Sequence, residues 1–236
     1  MKILNNKIGD NEKIFLIAEI GINHNGSINK AIKMIDYATS AGFDAVKFQT
    51  IVPELLMQKD TPLVKYQKKT NSKNIFDLIK KYNFSRENFI SLKKYCDKKK
   101  IIFLSTPFDN ESATFLNKIK LAAFKISSTD NDNFSLLKQI KSFNKPIILS
   151  TGMMTHTDLK KTLKFLKLKK DMLSILHCIS EYPTPIKRAQ INSINALKKF
   201  KYVVGISDHT EGNICTMSAV TLGAKIIEKH ITLNKN

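Results

Sequence analysis

Apolar residues recur along the chain in short continuous runs. Each run is followed by a polar cluster and then by a segment with helical spacing of its apolar positions. Eight runs read as strands: "IFLIAEI" (14–20), "AVKFQT" (45–50), "IIFLST" (101–106), "AAFKIS" (122–127), "PIILST" (146–151), "LSILHC" (173–178), "YVVGIS" (202–207) and "AKIIEKHI" (224–231). Helices fit between them. "INKAIKMIDYATSAG" closes on Gly42, a usual helix stop, and "SRENFISLKKYCDKK" opens with Ser85 as an N-cap three residues before Asn88. Continuous apolar strands separated by helices predict a parallel sheet covered on both faces. Eight such units in 236 residues favour a closed (β/α)8 TIM barrel over an open doubly wound sheet, and no GxGxxG or P-loop argues otherwise. The segment 51–84 is too long for a simple connection and reads as a βα-loop insertion at the active-site end.

In such a barrel the chemistry sits at the C-terminal ends of the strands. Every predicted strand ends in polar residues: Glu19, Asn23 and His24; Lys47 and Gln49; Ser105 and Thr106; Lys125, Ser128 and Asp130; Ser150 and Thr151; His177, Ser180 and Tyr182; Ser207, Asp208 and His209; Glu228 and His230. Lys47 and Lys125 lie inside apolar runs, where an unpaired ammonium costs several kcal/mol, so each needs an anion. That anion is either a carboxylate of the chain (Glu19, Asp130 or Glu228) or a bound phosphate or carboxylate cradled with the nearby hydroxyls.

The histidines divide. His156 opens a helix and is expected in solvent, His177 is expected as a satisfied core histidine, and His24 is expected at the site. His209 and His230 are 21 residues apart, about one strand-helix-strand step, which makes their imidazoles neighbours across the rim. Two neutral imidazoles there suit an open divalent-metal site, Mn²⁺ or Mg²⁺, rather than a closed structural zinc. Asp208 is expected to orient one of the histidines from behind.

Composition narrows the class. The formal charge of +19 raises nucleic acid as a partner, yet only Arg86 and Arg188 are arginines among 39 basic residues. The lysines are those an AT-rich codon bias produces, and the residue that forks phosphates and reads bases is nearly absent, so no nucleic-acid partner is expected. No apolar run is long enough to cross a bilayer, no secretory leader is visible, and no membrane partner is expected. Three widely spaced cysteines suggest neither disulfides nor a zinc knuckle, so the expected compartment is the cytoplasm.

The segments "IAEIGINHNG", "DAVKFQT", "FLSTPFD", "FKISS", "KPIILSTGM", "LHCISEYPTP", "GISDHT" and "GAKIIEKHIT" together resemble the sialic acid synthase family. The resemblance runs from about residue 14 to the end. It implies condensation of phosphoenolpyruvate with an N-acetylmannosamine-type 2-acetamido sugar, using a divalent metal usually taken as Mn²⁺, with Mg²⁺ or Co²⁺ as alternatives. His209 and His230 match the family's metal histidines. Lys47, Thr106, Lys125, Ser128, Ser150 and Ser207 match its phosphoenolpyruvate contacts, and Glu19, Gln49, Asp130 and Tyr182 match positions around the sugar and the reacting centre. Glu19 or Asp130 would take a proton from the attacking water, with Lys47 and Lys125 offsetting the anion.

The chain departs from the family pattern in places. "KISSTD" stands where many members read "KIGSGE", so Asp130 replaces a glutamate one methylene longer. Ser180 replaces an amide, and the sugar-contacting asparagine of the long loop corresponds to Asn71 or Asn74. The resemblance also implies a "GPD" segment, a last helix and an antifreeze-like (SAF) domain after residue 236, with a homodimer in a full-length parent. The expectation here is one barrel, 1–236, without its final helix. Two alternatives are another phosphoenolpyruvate-dependent aldol synthase on the same fold, such as a 3-deoxy sugar acid synthase, and a barrel that binds ligand without turning over.

Overall fold

The computed structural model describes residues 1–63 and 72–234. A two-stranded hairpin opens it, β1 (Lys2–Ile3) with β2 (Asn6–Lys7). Eight parallel strands then close into a barrel in the order β10-β3-β4-β5-β6-β7-β8-β9. They are β3 (Phe15–Gly21), β4 (Ala45–Thr50), β5 (Ile102–Pro107), β6 (Phe124–Ile126), β7 (Ile147–Ser150), β8 (Leu173–Cys178), β9 (Val203–Asp208) and β10 (Ile226–His230). The eight predicted strands are the eight barrel strands. Among the described residues no helix follows β10, and none is long and apolar enough to cross a membrane.

The helices are α1 (Ile28–Ser40), α2 (Pro53–Leu56), α3 (Ile75–Tyr82), α4 (Arg86–Lys99), α5 (Asn110–Lys118), α6 (Phe134–Ser142), α7 (His156–Leu166), α8 (Ser193–Lys198) and α9 (Ile214–Thr221). Their starts are set by local chemistry. Ser27, Asn74, Ser85, Asp109, Asn133 and Thr155 each accept the backbone N–H three residues on, satisfying a donor the helix leaves unpaired. The insertion at 51–84 carries α2 and α3 and is pinned to the barrel at both ends. Asn83 Nδ2 donates to the Ile51 carbonyl at 2.7 Å, and Val52 N donates to Asp109 at 3.0 Å.

The two-residue period of the strands sorts the side chains. One set packs outward against the helices, including Ala18, Ile20, Val46, Phe48, Phe103, Ile147 and Leu149. The other fills the barrel: Phe15 and Ile17, Ala45, Ile102 and Leu104, Ala123, Ile148, Leu176 and Ile226, with Ile3 and Ile8 of the hairpin closing the N-terminal end. Continuing that inward set by steps of two reaches Glu19, Lys47, Thr106, Lys125, Ser150, Cys178, Ser207 and Glu228. A floor of apolar layers therefore carries a polar layer at the open end.

Candidate active site

The polar layer is a compact charge cluster. Lys47 Nζ lies 2.6 Å from Glu19 Oε2 and 3.9 Å from Glu228 Oε2, and it donates to Thr106 Oγ1 at 3.2 Å. Lys125 Nζ lies 3.6 Å from Glu228 Oε1 and donates to Ser150 Oγ at 2.7 Å and to the Ile126 carbonyl at 3.2 Å. Ser207 Oγ donates to Glu228 Oε1 at 2.7 Å. All four charged groups are buried. Both lysines thus have carboxylate partners within the chain, and Glu228, one of the three carboxylates the sequence offered them, is the hub that joins them.

The two carboxylates differ. Burial pushes Glu19 above the usual range, and Glu228 adds to this while Lys47 opposes it. Burial would raise Glu228 as well, but Lys125, Lys47 and the Ser207 hydroxyl outweigh it and hold Glu228 low. The lysines split similarly. Lys47 is desolvated, yet Glu19 and Glu228 keep it raised, whereas burial and the neighbouring Lys47 leave Lys125 lowered.

Above this layer stand the histidines. Their ring centroids are 5.5 Å apart, and Tyr182 covers His209 at 4.1 Å and meets His230 at 5.8 Å. His209 Nδ1 is 2.7 Å from the Ile179 carbonyl, which can only accept, so Nδ1 carries the proton and Nε2 keeps its lone pair. Burial lowers the pKa of His209. His230 is exposed at the rim, so its lowering comes from partial desolvation by the packed mouth, with His209 and Lys47 adding to it. Both rings are neutral near pH 7. Among the described residues no third His, Cys, Asp or Glu completes a metal cluster. The donor set therefore fits an ion held by two imidazoles, with its other positions left to water and substrate.

Two glycines shape the walls. Gly21, at φ +53°, sits where β3 shifts register; a Cβ there would stand 3.1 Å from Glu19 Oε1, 3.6 Å from Gln49 Nε2 and 3.7 Å from His230 Cε1. Glu19, Gln49 and His230 therefore converge on one point. Gly152 marks a second: a Cβ would lie 2.8 Å from both Ser128 Oγ and Ser180 Oγ, and Gly152 N donates to Ser128 at 3.0 Å. Ser180 thus faces Ser128 across a hydroxyl cradle that only glycine leaves open.

Other residues stand elsewhere. Asp130 is in the loop after β6, where its carboxylate accepts from Thr129 Oγ1 at 2.9 Å and Asn133 Nδ2 at 3.4 Å. Asp208 does not orient a histidine. It faces outward, opposite to Ser207 and His209, and accepts from Thr210, from Thr216 at 2.7 Å and from Lys229 at 2.7 Å. His24 is likewise not at the mouth: it is buried, stacked on Phe84 at 3.9 Å, and desolvation lowers its pKa to about 4. His177 also faces outward and is satisfied by the Ala189 carbonyl at 2.7 Å. His156 is exposed at the start of α7, beside Phe200 at 4.8 Å. Asn74 caps α3, and Asn71 lies outside the described residues.

Residues 34–236 match the model of the NeuB family. The chain belongs to that family. An N,N'-diacetyllegionaminic acid synthase from Campylobacter jejuni is 40% identical over 95% of this chain and 69% of its own length. The spore coat polysaccharide biosynthesis protein SpsE of Bacillus subtilis is 36% identical over 100% of this chain and 64% of its own. A crystal structure of N-acetylneuraminic acid (sialic acid) synthetase from Leptospira borgpetersenii serovar Hardjo-bovis, in complex with citrate, superposes with a TM-score of 0.88 at 35% identity. That match covers 99% of this chain and 78% of the other. The chain thus spans roughly two thirds of the length of these two curated relatives.

Proposed function

We propose that this NeuB-family barrel is the catalytic part of a nonulosonate synthase, which joins phosphoenolpyruvate to an open-chain 2-acetamido sugar of the N-acetylmannosamine type and releases phosphate. The observation that supports this reading is the meeting, at one barrel mouth, of two buried lysines, a hydroxyl cradle and two neutral imidazoles. Related acid synthases share 32–40% of its residues.

Phosphoenolpyruvate carries a phosphate and a carboxylate. Lys47 and Lys125 offset that charge, while Thr106, Ser128, Ser150, Ser180 and Ser207 offer hydroxyl donors to its oxygens. Gln49 and Tyr182 line the sugar's side, with Asp130 in the loop beyond β6. His209 Nε2 and His230 would hold a divalent ion, Mn²⁺ with Mg²⁺ or Co²⁺ as alternatives, whose chemistry is Lewis-acid polarisation of the sugar's aldehyde oxygen. Carbon 3 of the enol phosphate attacks the aldehyde carbon, and the positive charge left at carbon 2 is met by water. Glu19, kept above the ordinary carboxylate range by burial, takes the water's proton. The former aldehyde oxygen takes up a proton to become a hydroxyl, the proton held by Glu19 being available for it. As the bond from carbon 2 to the phosphate oxygen breaks, the carbon 2 hydroxyl gives its proton to the departing phosphate, leaving the keto group and the phosphate in the lysine and hydroxyl cradle.

The test is phosphate release from phosphoenolpyruvate with Mn²⁺ and a panel of 2-acetamido sugars, with the nine-carbon acid confirmed by mass. Release with an aldose lacking the acetamido group, and not with the panel, would move the reading to a 3-deoxy sugar acid synthase. A folded chain that releases no phosphate with any of these sugars would be left as a binding barrel.

A further inference from the structure

The chain's positive charge is not spread evenly over the barrel. In a parallel barrel every connection from a helix to the next strand lies at the N-terminal end, opposite the mouth. That end comprises residues 1–13 and the helix ends and connections at 36–44, 97–101, 118–123, 141–146, 164–172, 198–202 and 222–225. It carries eighteen lysines against six carboxylates, so twelve of the net +19 charges lie there. Fifteen of these lysines are exposed, in runs such as 98–100 and 167–170. Several carboxylates are already paired with lysines: Asp44 with Lys13, Asp36 with Lys99 at 2.7 Å, and Asp10 with Lys225 at 3.1 Å.

Helix dipoles account for part of this, since a cation in a last turn is stabilising. They do not account for Lys120, Lys169, Lys170 and Lys201, which lie beyond the helices, or for Lys2 and Lys7 on the hairpin. Nor does the face serve substrate, because Ile3 and Ile8 close the barrel at this end.

We propose that the closed end of the barrel docks electrostatically on an anionic lipid bilayer, with the mouth turned to solvent. Composition alone gave no reason to expect a membrane partner; the placement of the charge does. A lipid surface fits better than nucleic acid because the face is built of lysine point charges, and both arginines lie at the opposite end, Arg86 opening α4 and Arg188 following β8. A fluid anionic surface needs no phosphate fork, and each lysine brought within a Debye length strengthens binding about fivefold.

The experiment is vesicle co-sedimentation of the whole chain at about 0.15 M salt, using phosphatidylcholine vesicles with and without phosphatidylserine. Two variants of equal net charge accompany it. One carries Lys98→Gln, Lys169→Gln, Lys170→Gln and Lys199→Gln on the closed end; the other carries Lys30→Gln, Lys33→Gln, Lys160→Gln and Lys187→Gln, away from that end. Binding to the anionic vesicles only, weakened about a hundredfold or more in the first variant and retained in the second, is the expected result. No binding to anionic vesicles, or equal loss in both variants, overturns the proposal. So does release of the protein from vesicles by duplex DNA or RNA at equal phosphate concentration, which would make the face a nucleic-acid surface.

Discussion

Replacing Glu228 with glutamine tests the charge cluster directly. The substitution keeps the side chain's shape and an oxygen to accept from Ser207, but removes the charge shared by Lys125 at 3.6 Å and Lys47 at 3.9 Å. At an effective dielectric of 20, each attraction lost is about 4 to 5 kcal/mol. The burial of Glu228 itself is relieved, so the net cost is that of breaking a buried ion pair from one side, about 3–5 kcal/mol. The low end applies here, because Glu228 is among the groups that raise the pKa of Glu19, and without it Glu19 ionises more readily and still pairs with Lys47. For a chain of 236 residues, about 3 kcal/mol lowers the melting temperature by roughly 6–12 °C.

The same charge change has the opposite sign for anion binding. With Glu228 ionised, the lysines are partly neutralised by the chain; with glutamine they are left for an incoming phosphate or carboxylate. Thermal unfolding should therefore show a variant that melts lower than wild type in plain buffer but gains more from added phosphate, by mass action on the folded state. If Glu228→Gln melts within about 2 °C of wild type, well inside the shift worked above, and phosphate stabilises both equally, Glu228 does not hold these lysines.

Three other outcomes follow from the geometry. His209→Ala and His230→Ala should each keep the melting temperature within a few degrees while losing Mn²⁺ binding by titration calorimetry; unchanged Mn²⁺ affinity in either removes that histidine from the site. Gly205→Ala would place a Cβ 2.4 Å from the Ile226 carbonyl oxygen and 2.6 Å from Leu176 Cδ2 inside the barrel, so urea unfolding should show a loss of about 3 kcal/mol or more. His24 has its folded pKa lowered to about 4 from 6.5, so its contribution is fully present above 6.5 and falls as the unfolded chain takes up the proton on acidification. Between pH 7 and 5 it removes about 2 kcal/mol. His24→Phe should show a pH 5 penalty smaller by that amount, and equal penalties would refute the assignment.

The architecture was legible because it rests on local signals. All eight strands follow from apolar runs, and Ser85 caps α4 as its sequence suggests. The insertion was legible only as an excess of length, since α2 and α3 are short and held by contacts from Asn83 and Asp109 across the fold. Asp208 shows a reading that went wrong for a local reason. It stands between Ser207 and His209, and a strand turns neighbours to opposite faces, so the residue flanked by two inward side chains must face out, where Thr216 and Lys229 bind it. The same parity places Glu228 inward, two residues before His230. His24 was misplaced for a non-local reason: its stacking partner Phe84 comes from the far end of the insertion, sixty residues away.

Parity turns both buried carboxylates inward, and their charged neighbours separate their roles. Glu228 on β10 lies between both lysines and accepts from Ser207, so its charge is fixed before any ligand arrives. Glu19 on β3 shares only Lys47 at close range, and the ionised Glu228 nearby makes its own ionisation harder. Two carboxylates with pKa values driven apart in one cluster divide the work: the low one holds cations in place, and the raised one exchanges protons near neutral pH. On this argument an incoming anion displaces Glu19 from Lys47 rather than Glu228, because Glu228 has more partners to lose. The carboxyl so released lies beside Gln49 and His230, around the small open space that Gly21 preserves.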